Sequence, residues 1–324
     1  MVPAGFKIPP LPSDFHTHTC RSDGLYEPKQ LAQAACDRGI RALAVTDHDN
    51  MNAVDEITGY VAEAGLDLKI IPGIEVSAQW RCKDWFPDFA CKIHIVGLFC
   101  DPEKPDLAGI ISRHKILRDE RVVRIRDRLL ENVPAMRPYQ ARLDQMLSDL
   151  QQRGTFVNRK HFADFMVSCG VASSVPDAME NYLYSGRPAA AGITYSDLRQ
   201  VVEAIASAGG IPVLAHPLRY RTINDDARRG ALLDALARDF RAAGGRGIEI
   251  TSPVTSPAFA DFNPENTARV AALAERYDLL CSMGSDCHGN DARNPERALG
   301  IHQFVPENLQ AVWEDERFEG IYGL

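Results

Sequence analysis

No two of the eight cysteines, at positions 20, 36, 82, 91, 100, 169, 281 and 287, form a Cys-x-x-Cys pair. A zinc ribbon or dithiol redox motif is therefore not expected, and the cysteines read as buried thiols acting as small apolar groups. Nowhere do about 18 apolar residues run uninterrupted, so no membrane-spanning helix is expected. The opening MVPAGFKIPPLPSD lacks the charged start and continuous apolar run of a secretory signal, which makes a soluble cytoplasmic protein the default expectation. Positive charge is in deficit, with 36 Lys and Arg against 44 Asp and Glu and a formal net charge of −8. That balance argues against a chain that coats nucleic acid by bulk attraction, while leaving room for a local basic patch. Internal repeats and low-complexity segments are absent as well. Histidine is scarce, nine in 324 residues, yet two of the nine stand one residue apart in SDFHTHTCRSDG, residues 13–24.

What is present is an ordinary globular composition, 45% hydrophobic and 25% charged, with enough length for an α/β barrel of about 250 residues plus an insertion. Seven β-rich runs are expected as strands: Asp14–Thr17, Ala42–Thr46, Lys69–Val76, Lys92–Leu98, Ile211–Ala215, Gly247–Thr251 and Leu280–Gly284. Amphipathic helical patterns over Glu27–Arg38, Asn52–Ala64, Gly230–Ala243 and Pro264–Tyr277 alternate with them, as βα units around a parallel sheet would. The gap from Asp101 to Gly192 carries no convincing strand. It reads as helices at roughly Leu107–Leu130, Tyr139–Arg153, His161–Ser168 and Val175–Leu183. The expected organisation is a discontinuous barrel, 13–100 and 193–324, interrupted by a helical insertion domain at 101–192.

The ionisable residues fall at strand ends. The first strand ends in His16 and His18, the second in Asp47, His48 and Asp49, the third reaches Glu75, and the fourth carries His94; the fifth ends at His216 and the seventh at Asp286 and His288. In a βα barrel such ends converge on one mouth. Burying so many polar groups together is costly unless something compensates, and divalent cations do so. His16 and His18, two apart on a strand, point to the same face and can grip one ion.

FHTHTCRSDG, AVTDHDN, PGIEVS, HIVGL, LAHP and GSDCHG together resemble the polymerase-and-histidinol-phosphatase superfamily of metal-dependent phosphoesterases. The resemblance implies a distorted seven-stranded TIM-like (βα) barrel with two or three metals. His16, His18, Glu75 and Asp286 would surround one ion. Glu75, His94 and His216 would hold a second, with Glu75 bridging, and Asp23, His48 and His288 a third. Asp23, where many relatives have histidine, resembles the branch that acts on nucleotide phosphates. A nitrogen and oxygen ligand set without thiolate suits Mn²⁺, Fe²⁺ or Zn²⁺ without selecting among them. Ions a few ångströms apart can activate a hydroxide and stabilise the leaving oxygen, so no protein nucleophile is needed, with Asp286, His216 and His288 close to the reacting centre. Asp47 is read as orienting a metal-bound histidine, and Asp49 equally well as a cap of the following helix.

Specificity is expected from the insertion. RHKILRDERVVRIRDR, residues 113–128, carries seven Lys or Arg against three acids. Helical spacing puts Arg118, Arg121 and Arg128 on one face and Ile116, Val123 and Leu130 on the other, so the arginines could hold a second phosphate of a doubly phosphorylated substrate. RKHFADFM, residues 159–166, resembles a segment of the same branch and offers Arg159 and His161; HPLRY offers Arg219. The pattern is similar to nucleoside 3′,5′-bisphosphate phosphatases and 5′-to-3′ exoribonucleases, which implies a nucleotide or short oligoribonucleotide substrate and no obligate protein partner. QWRCKDWFPDFACK, 79–92, brings Trp80, Trp85, Phe86 and Phe89 to shield the mouth, stack on a base, or pack against the insertion. Two other readings stand beside this one: a histidinol-phosphate or sugar-phosphate phosphatase, and an RNA-binding or regulatory protein whose metal site is structural.

Overall fold

The computed structural model describes residues 5–82, 90–220, 229–250, 264–289, 298–300 and 304–323. A short antiparallel pair, β1 (Phe6–Lys7) with β9 (Val305–Pro306), stands apart from one seven-stranded sheet. The strands of that sheet lie in chain order: β2 (Ser13–Asp14), β3 (Ala42–Val45), β4 (Lys69–Arg81), β5 (Ala90–Leu98), β6 (Ile211–Leu214), β7 (Gly247–Glu249) and β8 (Leu280–Ser282). ALAV of β3 and IPVL of β6 are buried over their whole length, the composition required of a strand covered on both faces. The sheet curls until the segments following its first and last strands meet. Thr17 bridges Cys287, the His18 amide donates to the Cys287 carbonyl at 2.9 Å, and the Asp286 amide donates to the His16 carbonyl at 2.9 Å. Gly284 permits this closure, since a Cβ there would collide with the His16 Cβ and lie 2.6 Å from its backbone nitrogen.

The sheet is not wholly parallel, which corrects the expectation of a parallel sheet. β5 runs antiparallel to both β4 and β6. The cause is local: β4 continues five residues past Val76, to Arg81, and β5 returns directly against it, pairing Arg81 with Ala90 and Ser77 with His94. Glu75 and His94 therefore sit in mid-strand instead of at strand ends. Helices α1 (Pro28–Asp37), α2 (Asn52–Glu63), α7 (Leu198–Ser207), α8 (Arg229–Ala242) and α9 (Pro264–Arg276) follow β2, β3, the insertion, β6 and β7 respectively. The sequence pattern did not mark α7. It is capped by Asp197, whose carboxylate accepts from the Arg199 amide at 3.0 Å, and it buries Leu198, Val201, Val202 and Ile205 in the main core.

Between β5 and α7 run α3 (Pro105–Asn132), α4 (Gln140–Gln152), α5 (Arg159–Ser168) and α6 (Val175–Ala178), the last continued by a π-turn over Met179–Leu183. These enclose a second apolar cluster around Ile125, Leu129, Met136, Leu143, Phe162 and Met166. α3, 28 residues and so about 42 Å long, joins the two cores, with Leu107 in the first and Ile125 and Leu129 in the second. Its buried stripe is Leu107, His114, Arg118, Arg121, Ile125 and Leu129. The expected orientation is thus reversed, because Ile116 and Val123 are 59% and 57% exposed while Arg118 is 4% exposed. Arg118 is drawn inward by an acceptor the sequence pattern does not display, while Arg128, expected on the same face, is exposed.

Trp80 is likewise placed elsewhere than the mouth or the insertion: its indole Nε1 donates to Asp239 of α8 at 2.9 Å. Trp85, Phe86 and Phe89 lie outside the described residues. No disulfide joins any of the eight cysteines, and five of them are buried. Among the described residues no helix is long and apolar enough to cross a membrane.

Candidate metal centre

The closure of the sheet brings His16 and His18 face to face with Asp286. Their Nε2 atoms lie 3.1 Å apart; that of His18 is 3.1 Å from Asp286 Oδ1 and 3.2 Å from Glu75 Oε2, and that of His16 is 3.3 Å from Glu75 Oε2. All four side chains are buried. On the other side of Glu75, Oε1 meets His216 Nε2 at 2.8 Å and His94 Nδ1 at 2.9 Å, while His48 Nδ1 lies 2.9 Å from Oε2. Asp23 Oδ1 stands 3.2 Å from His288 Nε2 and 3.7 Å from His48 Nε2. All nine side chains expected as ligands thus occur in one cluster, with Glu75 at its centre. The grouping is less partitioned than expected: His48 converges with Glu75 and His94 as well as with Asp23 and His288, and His18 joins the latter set.

The backbone is bent to achieve this. Asp49, His216 and Asp286 have φ of 54°, 29° and 53°, a region costly for side-chain-bearing residues and tolerated where surroundings enforce it. Orientation of the rings comes from the atoms facing away from the cluster. His288 Nδ1 lies 2.8 Å from the Asp286 carbonyl, which can only accept, so Nδ1 carries a proton and the ring is turned with Nε2 toward Asp23. His16 Nδ1 lies 2.7 Å from Glu249 Oε1, while Glu249 Oε2 accepts from the His216 amide at 2.6 Å. Glu249 ends β7, the one strand for which the sequence pattern pointed to no polar group. The available signal was a glutamate within the apolar GIEI, at the strand position where its neighbours carry theirs. Asp47 does not orient a histidine. Its carboxylate accepts from the Thr19 amide at 2.8 Å and from the Thr19 and Ser22 hydroxyls at 2.5 Å each, fixing the loop that carries Asp23.

Charge is held in an arrangement that calls for cations. Burial favours neutral carboxyls, yet His48, His94 and His16 keep Glu75 well below the usual carboxylate range, and His288 and His48 do the same for Asp23. Burial likewise opposes charging of His18, but hydrogen bonds to Asp286 and Glu75 lift it to about 9; Glu249, Glu75 and Asp286 raise His16 well above its ordinary value. For His94 burial wins, and its pKa falls well below that of free imidazole. Six of the nine buried polar side-chain atoms that make no well-aligned hydrogen bond among the described residues belong to this cluster, ion-pair contacts apart: His18 Nδ1, Asp23 Oδ1, His48 Nδ1, Glu75 Oε2, His94 Nε2 and His216 Nδ1. Oxygen and imidazole donors left over in this way fit divalent cations.

The cluster opens into a cavity of about 300 Å³ lined by His48, His94, His216, His288, Lys92 and Arg219 among others. Arg219 pairs with Asp286 at its edge. His161 is close enough for Asp23 to favour its charged form, although burial prevails and lowers its pKa; its Nδ1 accepts from the Asn158 amide at 3.1 Å. Arg118 does not stand free for a ligand. Asp49 Oδ2 takes both its Nε, at 2.9 Å, and its Nη2, while Asp49 Oδ1 lies 2.9 Å from His114 Nδ1 and accepts from the Ser77 amide at 2.8 Å. Asp49 is therefore no helix cap, and the N-cap of α2 is Met51. Arg121 and Arg159 have no carboxylate partner among the described residues. Tyr195, which sequence reasoning missed, packs among these cations, with Lys92 Nζ 5.5 Å and Arg118 Cζ 5.7 Å from its ring centre. Arg121 and the Tyr195 hydroxyl are buried beside each other, and neither Arg121 Nε nor that hydroxyl makes a well-aligned hydrogen bond among the described residues.

Comparison with known proteins agrees with this geometry. The 5′-3′ exoribonuclease Rnm of Escherichia coli K12 is 32% identical over 302 residues, covering 93% of this chain and 92% of that protein. The 3′,5′-nucleoside bisphosphate phosphatase of Chromobacterium violaceum is 29% identical over 317 residues, 93% of this chain and 95% of that one. The crystal structure of a candidate metal-dependent phosphoesterase from Bifidobacterium adolescentis superposes with a TM-score of 0.69 at 25% identity, over 97% of this chain and 98% of its own. The model of the PHP domain matches residues 14–250, from β2 through β7. By that match, the chain belongs to the PHP domain family of metal-dependent phosphoesterases.

Proposed function

We propose that the protein removes the 3′-phosphate from nucleoside 3′,5′-bisphosphates, and that the same site takes nucleotides from the 5′ end of short oligoribonucleotides. The observation that carries this reading is Arg121, a buried guanidinium donor with no carboxylate partner among the described residues and the Tyr195 hydroxyl as its hydrogen-bonding neighbour, set among Lys92, Arg118 and Arg159 beside a centre built for cations. A buried donor of that kind costs on the order of 1–3 kcal/mol unless a ligand satisfies it, and a second phosphate does so. A histidinol or sugar monophosphate would leave it unmet.

In this reading His16, His18, Asp23, His48, Glu75, His94, His216, Asp286 and His288 hold two or three divalent ions, Mn²⁺, Fe²⁺ or Zn²⁺. Ions bound there supply Lewis acidity and lower the pKa of water. The protein's own groups do the rest. Glu249 fixes the ring of His16 and the backbone of His216, Arg219 steadies Asp286, and His161 with Lys92 flanks the phosphate ester. The segment 101–192 acts as the substrate-binding domain, with Arg121, Arg159 and Tyr195 on the second phosphate and Arg118 contributing its charge while anchored on Asp49. Relatives named as a bisphosphate phosphatase and as exoribonucleases support both substrates.

The test is phosphate release by metal-replete protein from a panel of nucleoside 3′,5′-bisphosphate, 5′-phosphorylated oligoribonucleotide, histidinol phosphate and a sugar phosphate, with metal content measured on the same sample. Turnover confined to the nucleotide substrates is expected. Equal rates on the monophosphates would overturn the reading. RNA binding without turnover, unaltered in His18→Ala, would make the metal site structural.

A further inference from the structure

One stripe of α3 faces the loop that follows the π-turn. Arg124 Nη2 donates to the Gly192 carbonyl at 3.3 Å and Asn132 Nδ2 donates to the Pro188 carbonyl at 2.9 Å. Arg128 stands between them on the same stripe, one helical turn from each. Its neighbours clamp the loop, and Arg128 itself makes no ion pair or side-chain hydrogen bond among the described residues. It faces a cavity of about 380 Å³ whose other charged walls are Arg159 and Arg187, with Ser185, Gly186 and Gly192 among the rest of the lining. No carboxylate of the described residues lines that cavity. Arg187 is exposed and equally without a partner among the described residues.

Three guanidinium groups around one cavity without a carboxylate among its described lining residues make a local positive patch in a chain of net charge −8, a surface that attracts anions. Arg159 is the connecting wall. Its guanidinium lies 5.6 Å over the Tyr184 ring, and its charge helps burial depress the pKa of Arg121, on the mouth side, to about 10. Cations therefore continue from the mouth through Arg121 and Arg159 into a second, separate recess. A nucleoside bisphosphate has no third phosphate with which to occupy it, whereas a strand does.

We propose that this recess binds a downstream phosphodiester of a single-stranded oligoribonucleotide, so that Arg128 and Arg187 favour strands over mononucleotides. The guanidinium fork suits phosphate oxygens, and a row of cations beside an open groove tracks a backbone without reading its sequence. The inference rests on the nucleotide reading of the metal centre, and the following experiment separates the two.

Metal-loaded Arg128→Gln, Arg187→Gln and the double variant are compared with the parent on a nucleoside 3′,5′-bisphosphate and on a 5′-phosphorylated oligoribonucleotide of about five nucleotides. Bisphosphate kcat and KM are expected to stay within about twofold. Oligonucleotide KM is expected to rise about tenfold in each single variant at unchanged kcat, and the slope of log KM against log salt to fall by about 0.7 for each arginine withdrawn from a phosphate. Arg187→Lys should recover part of the loss. Unchanged oligonucleotide KM and salt slope overturn the subsite while leaving the bisphosphate activity standing. Should neither substrate turn over, fluorescence anisotropy of the labelled oligonucleotide in chelator still decides it. Weaker binding in the variants supports the subsite; equal binding, or none to the parent, overturns it.

Discussion

Asp49, four residues past the end of β3, receives Arg118 from the fourth turn of the long insertion helix in a pair sealed from solvent on both sides. The Asp49 amide also donates to the Glu75 carbonyl at 2.9 Å. One carboxylate thus links the insertion to the strand that carries the central ligand. Removing either partner leaves the other charge buried and unmatched, which costs about 3–5 kcal/mol. Asp49→Ala and Arg118→Ala are each expected to lower denaturant-derived stability by that amount. The Asp49→Leu, Arg118→Met double variant should recover most of it, and a double variant no more stable than the singles would count against the pair.

Glu249→Gln tests the support behind the metal centre. The amide can no longer balance the charge of His16, and loss of such an outer partner costs about 10–100-fold in metal affinity. Competition with a chelator indicator reads that affinity directly. Activity at saturating metal should recover toward the parent level, which separates this variant from Glu75→Gln, where excess metal should not restore turnover.

Gly284→Ala should unsettle the seam. Its new methyl collides with His16 where the sheet closes, so lower thermal stability and reduced metal content are expected together. A stable, metal-replete variant would show that the seam has more room than its backbone indicates.

The pH dependence of substrate affinity should carry the signature of Tyr195. Burial raises a phenol's pKa, but Arg118 and Lys92 outweigh it here and bring Tyr195 below its usual 10.0. As pH rises through that lowered value the neutral hydroxyl becomes an anion amid the cations that would hold the second phosphate. KM for a bisphosphate is therefore expected to climb on the alkaline limb, and Tyr195→Phe to flatten that limb. A rise that survives Tyr195→Phe unchanged would assign it to another group.

The reversed face of the insertion helix gives a stability contrast. Val123→Glu and Ile116→Glu, both on the exposed side, should each change stability by no more than about 0.5 kcal/mol. Leu129→Ala, in the second core, should cost about 2–5 kcal/mol. Large losses in the glutamate variants would restore the apolar face to the interior.

Most strands were legible because they are short buried runs, while β4, at 13 residues, runs five residues past its expected end at Val76. The side chains of the cluster were legible because they sit in compact motifs: His16 with His18, or Asp286 with His288, lie close enough in sequence for a spacing argument. What stayed hidden was pairwise and long-range. Nothing local to RHKILRDERVVRIRDR indicates that Asp49, 69 residues from Arg118, waits to receive an arginine, and helical periodicity alone ranks arginine as the solvent side. Glu249 was missed for a related reason, since a lone acid in GIEI gains its meaning only from His16, 233 residues away. The direction of β5 could not follow from its apolar content either, because period-two patterning is the same whichever way a strand runs.

The loop that carries Asp23 is tied to the far end of the insertion as well as to Asp47. Thr155 Oγ1 donates to the Cys20 carbonyl at 2.9 Å, the Phe156 amide donates to the Arg21 carbonyl at 2.9 Å, and Asn52 Nδ2 donates to the Gly154 carbonyl at 3.0 Å. The insertion is consequently not an interchangeable cassette. A chimera joined only at its two chain crossings would import foreign partners for Cys20 and Arg21, and with them a new resting position for Asp23. Residues 19–23, Asn52 and 154–156 form one hydrogen-bonded unit, so that exchanging the insertion without its partners on the barrel disturbs the loop that carries Asp23.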